Sequence, residues 1–274
     1  MQGGDLYITL KQRPEQKFSE DETRFIAAEI CLALCYLHNE GIIFRDLKPE
    51  NVMFDLSGHV RLIDFGLAKQ NISDIGRLTV CGTPIYMSPE TVRGMTDGSV
   101  QAAHPQATDW WAFGTLIFEM ILGKPPFAAP SLERLMVRIA SNPLQIPVGH
   151  VSHSCGDIIR RLLDKTPSLR LGSEDSSEVQ QHGWFADIDF DALYRKEIRP
   201  VYVPEDRGEP TAHFPDNMTE QIVDVTDFRS PTAQTRAALA AAKDTFEVSH
   251  VLGREIAFSI LWMRTNSNWV HNGG

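Results

Sequence analysis

The stretch IIFRDLKPENVMFD, Ile42 to Asp55, sets a base, an acid, a second base and an amide (Arg45, Asp46, Lys48, Asn51) between two short apolar runs. Ile42–Ile43 and Val52–Phe54 read as short strands, so the four polar residues fall on the connection between them. The turn signal DLSG, Asp55 to Gly58, follows, and a third strand is expected over His59–Ile63.

Helices flank this core. FSEDETRFIAAEICLALCYLHNEG, Phe18 to Gly41, reads as one long helix. Ser19 and Glu22 form a capping box, Gly41 suits a left-handed turn at the far end, and Phe25, Ala28, Ile30, Cys31, Leu34 and Leu37 supply an apolar face. The run from Trp110 to Leu122 reads as a buried helix with Asp109 as its cap candidate. SLERLMVRIA and CGDIIRRLLDK read as two more helices. The fold class expected is mainly α with an α+β organisation, its β part being short hairpins. Past Phe185 the chain loosens, and residues 200–235, with prolines, acids and few core residues, read as an extended tail wrapped on the domain.

The chain has 274 residues and a formal net charge of −10, which argues against a nucleic-acid surface but leaves a basic peptide open as a partner. Cys31, Cys35, Cys81 and Cys155 form no Cys-x-x-Cys pair, and buried thiols in a reducing compartment are expected. Met1 is followed by Gln, Gly, Gly and Asp, which is no secretory leader, and the longest apolar run contains Glu119 and is too short for a bilayer. A cytoplasmic or nuclear protein, bound to neither membrane nor nucleic acid, is the expectation.

Moving a phosphoryl group requires an acceptor held in line, a carboxylate to take its proton, and cations to spread the charge. FRDLKPEN offers these parts. Asp46 would orient the attacking hydroxyl, Lys48 would neutralise the transferred phosphate, and the amide oxygen of Asn51 would hold a magnesium ion. Magnesium prefers one or two protein ligands besides phosphates and water, and Asp64 of the Asp-Phe-Gly triplet is the second. Each piece alone is weak. Their order carries the signal: Arg-Asp-x-Lys-x-x-Asn, a hairpin, Asp-Phe-Gly, then Ser88-Pro-Glu90 is the protein-kinase signature set.

GGDL, GIIFRDLKPENVMF, GHVRLIDFGLAK, TVCGTPIYMSPE, DWWAFGTLIFEM, GKPPF and LRLG together resemble a Ser/Thr protein kinase of the AGC group, in particular the ribosomal-protein S-six kinases of the p70 type. The resemblance runs from residue 1 to about 205, with one insertion near MTDGSVQAAHPQ and with Phe44 where the family usually has Tyr or His. It implies ATP and Mg2+ as cofactors, Asp46 as catalytic base, and Thr83 as the threonine that bonds Asp46 and Lys48. Asp5, Met53 and Asp64 would border the nucleotide and its metal. Thr79 matches the activation-loop phosphosite, its phosphate paired with Arg45 and Lys69 and placed there by an upstream activating kinase. Val80, Pro84 and Met87 would floor the pocket beyond the acceptor, and Glu90 would pair with Arg170 for structure. Asp5, Glu50 and Glu119 match positions that face arginines upstream of the acceptor, so basic substrates of Arg-x-x-Ser/Thr or Arg-x-Arg-x-x-Ser/Thr type are implied. An acid inside an apolar run is costly without a partner, which makes Glu119 the most telling of the three.

The implied organisation is a kinase lower lobe over residues 1–185, an AGC-type C-terminal extension over 186–251 and an unassigned tail over 252–274. Ser230, before Pro231, and Ser249, in TFEVSHV, are the tail phosphosite candidates. The upper lobe, with its Gly-rich loop, strand lysine and helix glutamate, is expected to be absent, since the chain opens at the hinge-like MQGGDL and contains no Gly-x-Gly-x-x-Gly. Little or no kinase activity is then expected of the chain alone. A non-catalytic module that docks substrates or an activator is the second reading.

Overall fold

The computed structural model describes residues 3–70, 82–97 and 104–205. The chain falls into two compact units, Met1–Ile63 with Leu67–His213 and Asp64–Gly66 with Phe214–Gly274; every element below lies in the first. In chain order these are α1 (Leu6–Gln12), α2 (Glu20–Asn39), β1 (Ile42–Ile43), β2 (Val52–Phe54), β3 (Val60–Leu62), β4 (Lys69–Gln70), α3 (Pro89–Asp97), α4 (Ala107–Leu122), α5 (Leu132–Ser141), α6 (His153–Leu162), α7 (Ser177–Gln180) and α8 (Phe190–Tyr194).

The core is built on α4 and α2. In α4, Trp110, Trp111, Phe113, Leu116, Ile117 and Met120 are fully buried, and a helix apolar on all sides belongs inside a domain. Each such side chain contributes about 1.5–3 kcal/mol on leaving water. The apolar face expected of α2 is buried, with Leu34, Leu37 and Ala28 at zero exposure. Its capping box is formed, Ser19 accepting from the Glu22 amide and Glu22 reaching back to the Ser19 amide, and Gly41 follows at φ 69°. One expectation fails at α4. The helix starts at Ala107 with Gln106 at its cap position, so Asp109 lies inside the first turn and does not cap it. α6 starts two residues before Cys155, because the Ser152 hydroxyl accepts from the Cys155 amide and caps it earlier.

Two two-stranded antiparallel sheets, of which β2–β3 is a hairpin, carry the loops of interest. β2 pairs with β3 (Val52 with Leu62, Phe54 with Val60), and β1 pairs with β4 (Ile43 with Lys69). β3 is one residue shorter at each end than the strand read over His59–Ile63. Below that hairpin, the buried Glu29 carboxylate accepts from the Val60 amide at 2.7 Å and pairs with His59 Nδ1 at 2.6 Å.

The stretch after α8 lies against this hairpin and the start of α2. Lys196 Nζ meets Asp55 Oδ2 at 3.1 Å. The Tyr202 ring packs edge-on to Phe18 and Phe54 at 5.5 and 5.0 Å, and the Arg13 guanidinium covers Phe18 at 4.2 Å. Gly58, at φ 91°, allows this approach, since a Cβ there would sit 2.1 Å from the Tyr202 carbonyl oxygen. The expected tail is described only to Glu205; its remainder, with Ser230 and Ser249, lies outside the described residues. Among the described residues no helix is long and apolar enough to cross a membrane, and Cys31, Cys35 and Cys155 are buried free thiols.

Candidate active site

The loop after β1 is held in an unusual backbone shape. Arg45 adopts a left-handed φ of 68°, which costs a non-glycine residue about 1–3 kcal/mol unless its surroundings impose it. Asp109 imposes it. Its buried carboxylate accepts from the Phe44 amide at 2.9 Å and the Arg45 amide at 2.8 Å. It also meets His38 Nε2 at 2.8 Å, while His38 Nδ1 meets the Ser176 hydroxyl at 3.0 Å. A hydrogen bond to a charged group contributes about 1.5–3 kcal/mol, so the two amide bonds are of the size that the backbone strain requires.

That loop aims Asp46. Its Oδ2 accepts from Lys48 Nζ at 2.7 Å and from the Asn51 amide nitrogen at 3.0 Å, and Thr83 Oγ1 lies 3.4 Å from Oδ1. Asn51 also donates to the Asp46 carbonyl at 2.8 Å. Its amide nitrogen is thus spent on Asp46, and its oxygen is the atom it has for a cation. Gly82 lets the segment bearing Thr83 approach: at φ 102°, a Cβ would lie 2.9 Å from the Arg45 carbonyl oxygen. The sequence-predicted residues Asp46, Lys48, Asn51 and Thr83 therefore meet around one carboxylate. Asp64, in the second unit, has φ 60° and accepts from the Gly66 amide at 3.0 Å.

Met53, half-buried in β2, is bridged to Asp5. Asp5 is buried and caps α1 through Oδ1, which accepts from the Ile8 amide at 2.7 Å. Burial lifts its carboxyl above the ordinary carboxylate range, the Ile8 bond opposes this, and the charge of Glu50 adds to it. Glu50 is exposed on the Pro49–Asn51 turn. Glu119 in α4 is raised by burial in the same way, with Tyr86 and Lys11 opposing and Glu50 adding. Its Oε2 accepts a short hydrogen bond from the Tyr86 hydroxyl. The partner that burial demands of Glu119 is therefore internal, and Tyr86 was not singled out in the sequence. Pro84 and Met87 flank Tyr86 on the same turn; Val80 lies outside the described residues.

Arg45 and Lys69 stand on neighbouring segments, Arg45 just past β1 and Lys69 in β4 opposite Ile43. Arg45 Nε donates to the Leu67 carbonyl at 2.5 Å. Thr79 lies outside the described residues. Arg170, fully buried, forks onto both carboxylate oxygens of Glu90 at 2.7 and 2.9 Å and donates to the Asp164 and Ala107 carbonyls. Burial pushes the Glu90 carboxyl up; hydrogen bonds and charge from Arg170 outweigh it and hold it below the ordinary range.

The sequence reading missed Asp109, His38 and Ser176. A signal was present: Glu119 lies inside the apolar run and Asp109 immediately before it, next to Trp110 and Trp111, so the cost of a carboxylate in apolar surroundings bears on both. His38 and Ser176 have no such signal, because 138 residues separate them.

Comparison with known proteins fits this geometry. The protein kinase domain family matches residues 1–185. The chain is 39% identical over 203 residues to protein kinase 2 of Dictyostelium discoideum, covering 74% of this chain and 40% of that protein. It is 39% identical over 224 residues to the human serine/threonine-protein kinase Sgk2, covering 81% and 58%. It is 40% identical over 223 residues to human ribosomal protein S6 kinase alpha-2, covering 80% and 29%. The chain thus spans between 29% and 58% of the length of these relatives. With a kinase family match over most of its length and AGC serine/threonine kinases as relatives, the chain belongs to the protein kinase family.

Proposed function

We propose that this chain carries the substrate-side half of a serine/threonine kinase centre that phosphorylates arginine-rich proteins. The observation that carries the reading is the Asp46 carboxylate, held by Lys48 and Asn51 on one oxygen with Thr83 near the other. In the proposed step the acceptor hydroxyl gives its proton to Asp46 as its oxygen bonds to phosphorus, and the bond from phosphorus to the departing nucleotide oxygen breaks. Lys48 balances charge on the transferring group, and Thr83 fixes the carboxylate plane. ATP with magnesium would supply the phosphoryl group and the remaining cationic charge; the Asn51 amide oxygen is the hard ligand that the loop after β1 has for a cation, and the Asp-Phe-Gly motif assigns the Asp64 carboxylate to the metal as well. Among the described residues no group of three or more His, Cys, Asp or Glu side chains is placed to hold a metal ion.

Asp5, Glu50 and Glu119 take the substrate arginines in this reading. Their mutual charge, visible as the upward push of Glu50 on both other carboxyls, favours a cation between them. Phosphorylation of Thr79 by an upstream kinase would draw Arg45 and Lys69 together. The 274 residues contain no Gly-x-Gly-x-x-Gly, so the nucleotide clamp is proposed to come from sequence not included in them. The same observation favours a second reading, a binding module without catalysis.

Transfer of labelled phosphate from ATP to an arginine-containing peptide separates the readings. Expected is transfer by the chain joined to the upper lobe of a relative such as Sgk2, and none by the 274 residues alone. Nucleotide and peptide binding by a folded, joined protein without transfer would establish the module instead.

A further inference from the structure

A chain of buried polar groups runs under the loop that aims Asp46. Ser176 stands at the cap position of α7, yet its hydroxyl makes no capping bond. A serine there ordinarily accepts from an amide of the first turn. Its hydroxyl lies instead 3.0 Å from His38 Nδ1. Two further bonds fix the segment that brings it there. Cys35 Sγ donates to the Ser176 carbonyl at 3.3 Å, and Gln106 Nε2 donates to the Ser173 carbonyl at 2.6 Å. The His38 ring packs edge-on to Trp110, with centres 5.2 Å apart.

The partners decide where the protons sit. His38 Nε2 faces the Asp109 carboxylate at 2.8 Å and so must carry a proton. In the singly protonated ring Nδ1 is then bare and needs a donor. The Ser176 hydroxyl is the group placed to give one. Ser176 is 8% exposed and the His38 side chain 3%, which leaves little room for water to replace it. The same Asp109 carboxylate receives the Phe44 and Arg45 amides. Moving the ring proton to Nδ1 would turn a lone pair toward that carboxylate and weaken its hold on the left-handed Arg45.

Resting on the proposed kinase reading, we infer that Ser176 is a positioning residue: it keeps the His38 proton on Nε2, and through Asp109 it holds the strained loop that aims Asp46. Being buried, the Ser176–His38–Asp109 chain meets no substrate. Its effect reaches the centre through the backbone amides of Phe44 and Arg45.

Nitrogen NMR of the 274-residue chain reads the ring, and hydrogen exchange of the same chain reads the loop; neither needs catalysis. Expected in the native chain are a proton on Nε2 and a bare, hydrogen-bonded Nδ1. Ser176→Ala is expected to move the Nδ1 signal downfield, as a bare nitrogen does on losing its donor. It is also expected to speed exchange at the Phe44 and Arg45 amides about ten-fold, the factor for one buried acceptor left unpaired. Ser176→Thr, which keeps the hydroxyl, is expected to restore both signals, with α6 protection the same in all three proteins. In the chain joined to an upper lobe, Ser176→Ala is expected to lower kcat about ten-fold, a loss of aim, with the peptide KM unchanged. A native ring protonated on Nδ1 overturns the role of Ser176, as does loop exchange in Ser176→Ala that is unchanged or matched by α6. Ring and loop responses as expected, with an unmoved kcat, overturn the connection to Asp46. Absence of transfer by the native joined chain overturns the kinase reading, while the ring and loop signals still decide the link from Ser176 to the loop.

Discussion

Arg170 and Asp109 show how much of this site depends on single buried charges. Arg170 is fully buried and its donors are spent on Glu90 and two carbonyls. Removing it leaves Glu90 without a cation inside the protein, so Arg170→Ala is expected to lower unfolding stability by about 3–5 kcal/mol. Glu90→Gln, which keeps an acceptor, is expected to cost less; urea unfolding of both variants checks the order. Asp109 is a finer case. Asp109→Asn replaces one of the two oxygens that receive the Phe44 and Arg45 amides. Faster hydrogen exchange is expected at those two amides, with α6 protection unchanged. Equal loss of protection in α6 would make Asp109 a general core residue and remove its particular hold on the loop.

At the scale of elements, the junction of α4, α5 and α6 contains a lysine under unusual conditions. Lys165 donates to the Ile139 carbonyl at 2.6 Å and lies 4.1 Å from the Phe127 ring, which stacks on Trp111. Burial, helped by the charges of Arg93 and Arg170, lowers its ammonium to about 8. An unfolded lysine titrates near 10.4, so between these values the unfolded chain binds more protons, and stability rises with pH across that window. The rise is expected to be larger in the native chain than in Lys165→Met, read from melting temperatures at several pH values from 7.5 to 10. Equal slopes would contradict the assignment. The elements themselves were largely legible. The capping box of α2, the Trp-rich run of α4 and the Ser131 start of α5 each have a local cause in side chains close in sequence. α1 is not legible, since its cap, Asp5, stands out in the sequence for its charge. Asp109 was read as a cap because it borders an apolar run; its actual partners, 64 and 65 residues away, leave no local trace. In the site, Asp46, Lys48 and Asn51 were legible because one short loop carries them all. Tyr86 was not, because its bond to Glu119 spans 33 residues.

Across the first compact unit, the residues proposed for phosphoryl transfer stand on loops beside a helical core, with the stretch after α8 packed against the β2–β3 hairpin. The proposal requires Asp46 to take the proton of the acceptor, a role distinct from binding it. The direct test is the turnover of the chain joined to an upper lobe, native against Asp46→Asn, with peptide affinity measured beside it. General base catalysis contributes about 10²–10⁴-fold. A fall of that size in kcat is expected, with the dissociation constant of the peptide unchanged; an unaltered kcat would contradict the assignment of Asp46 and the reading built on it.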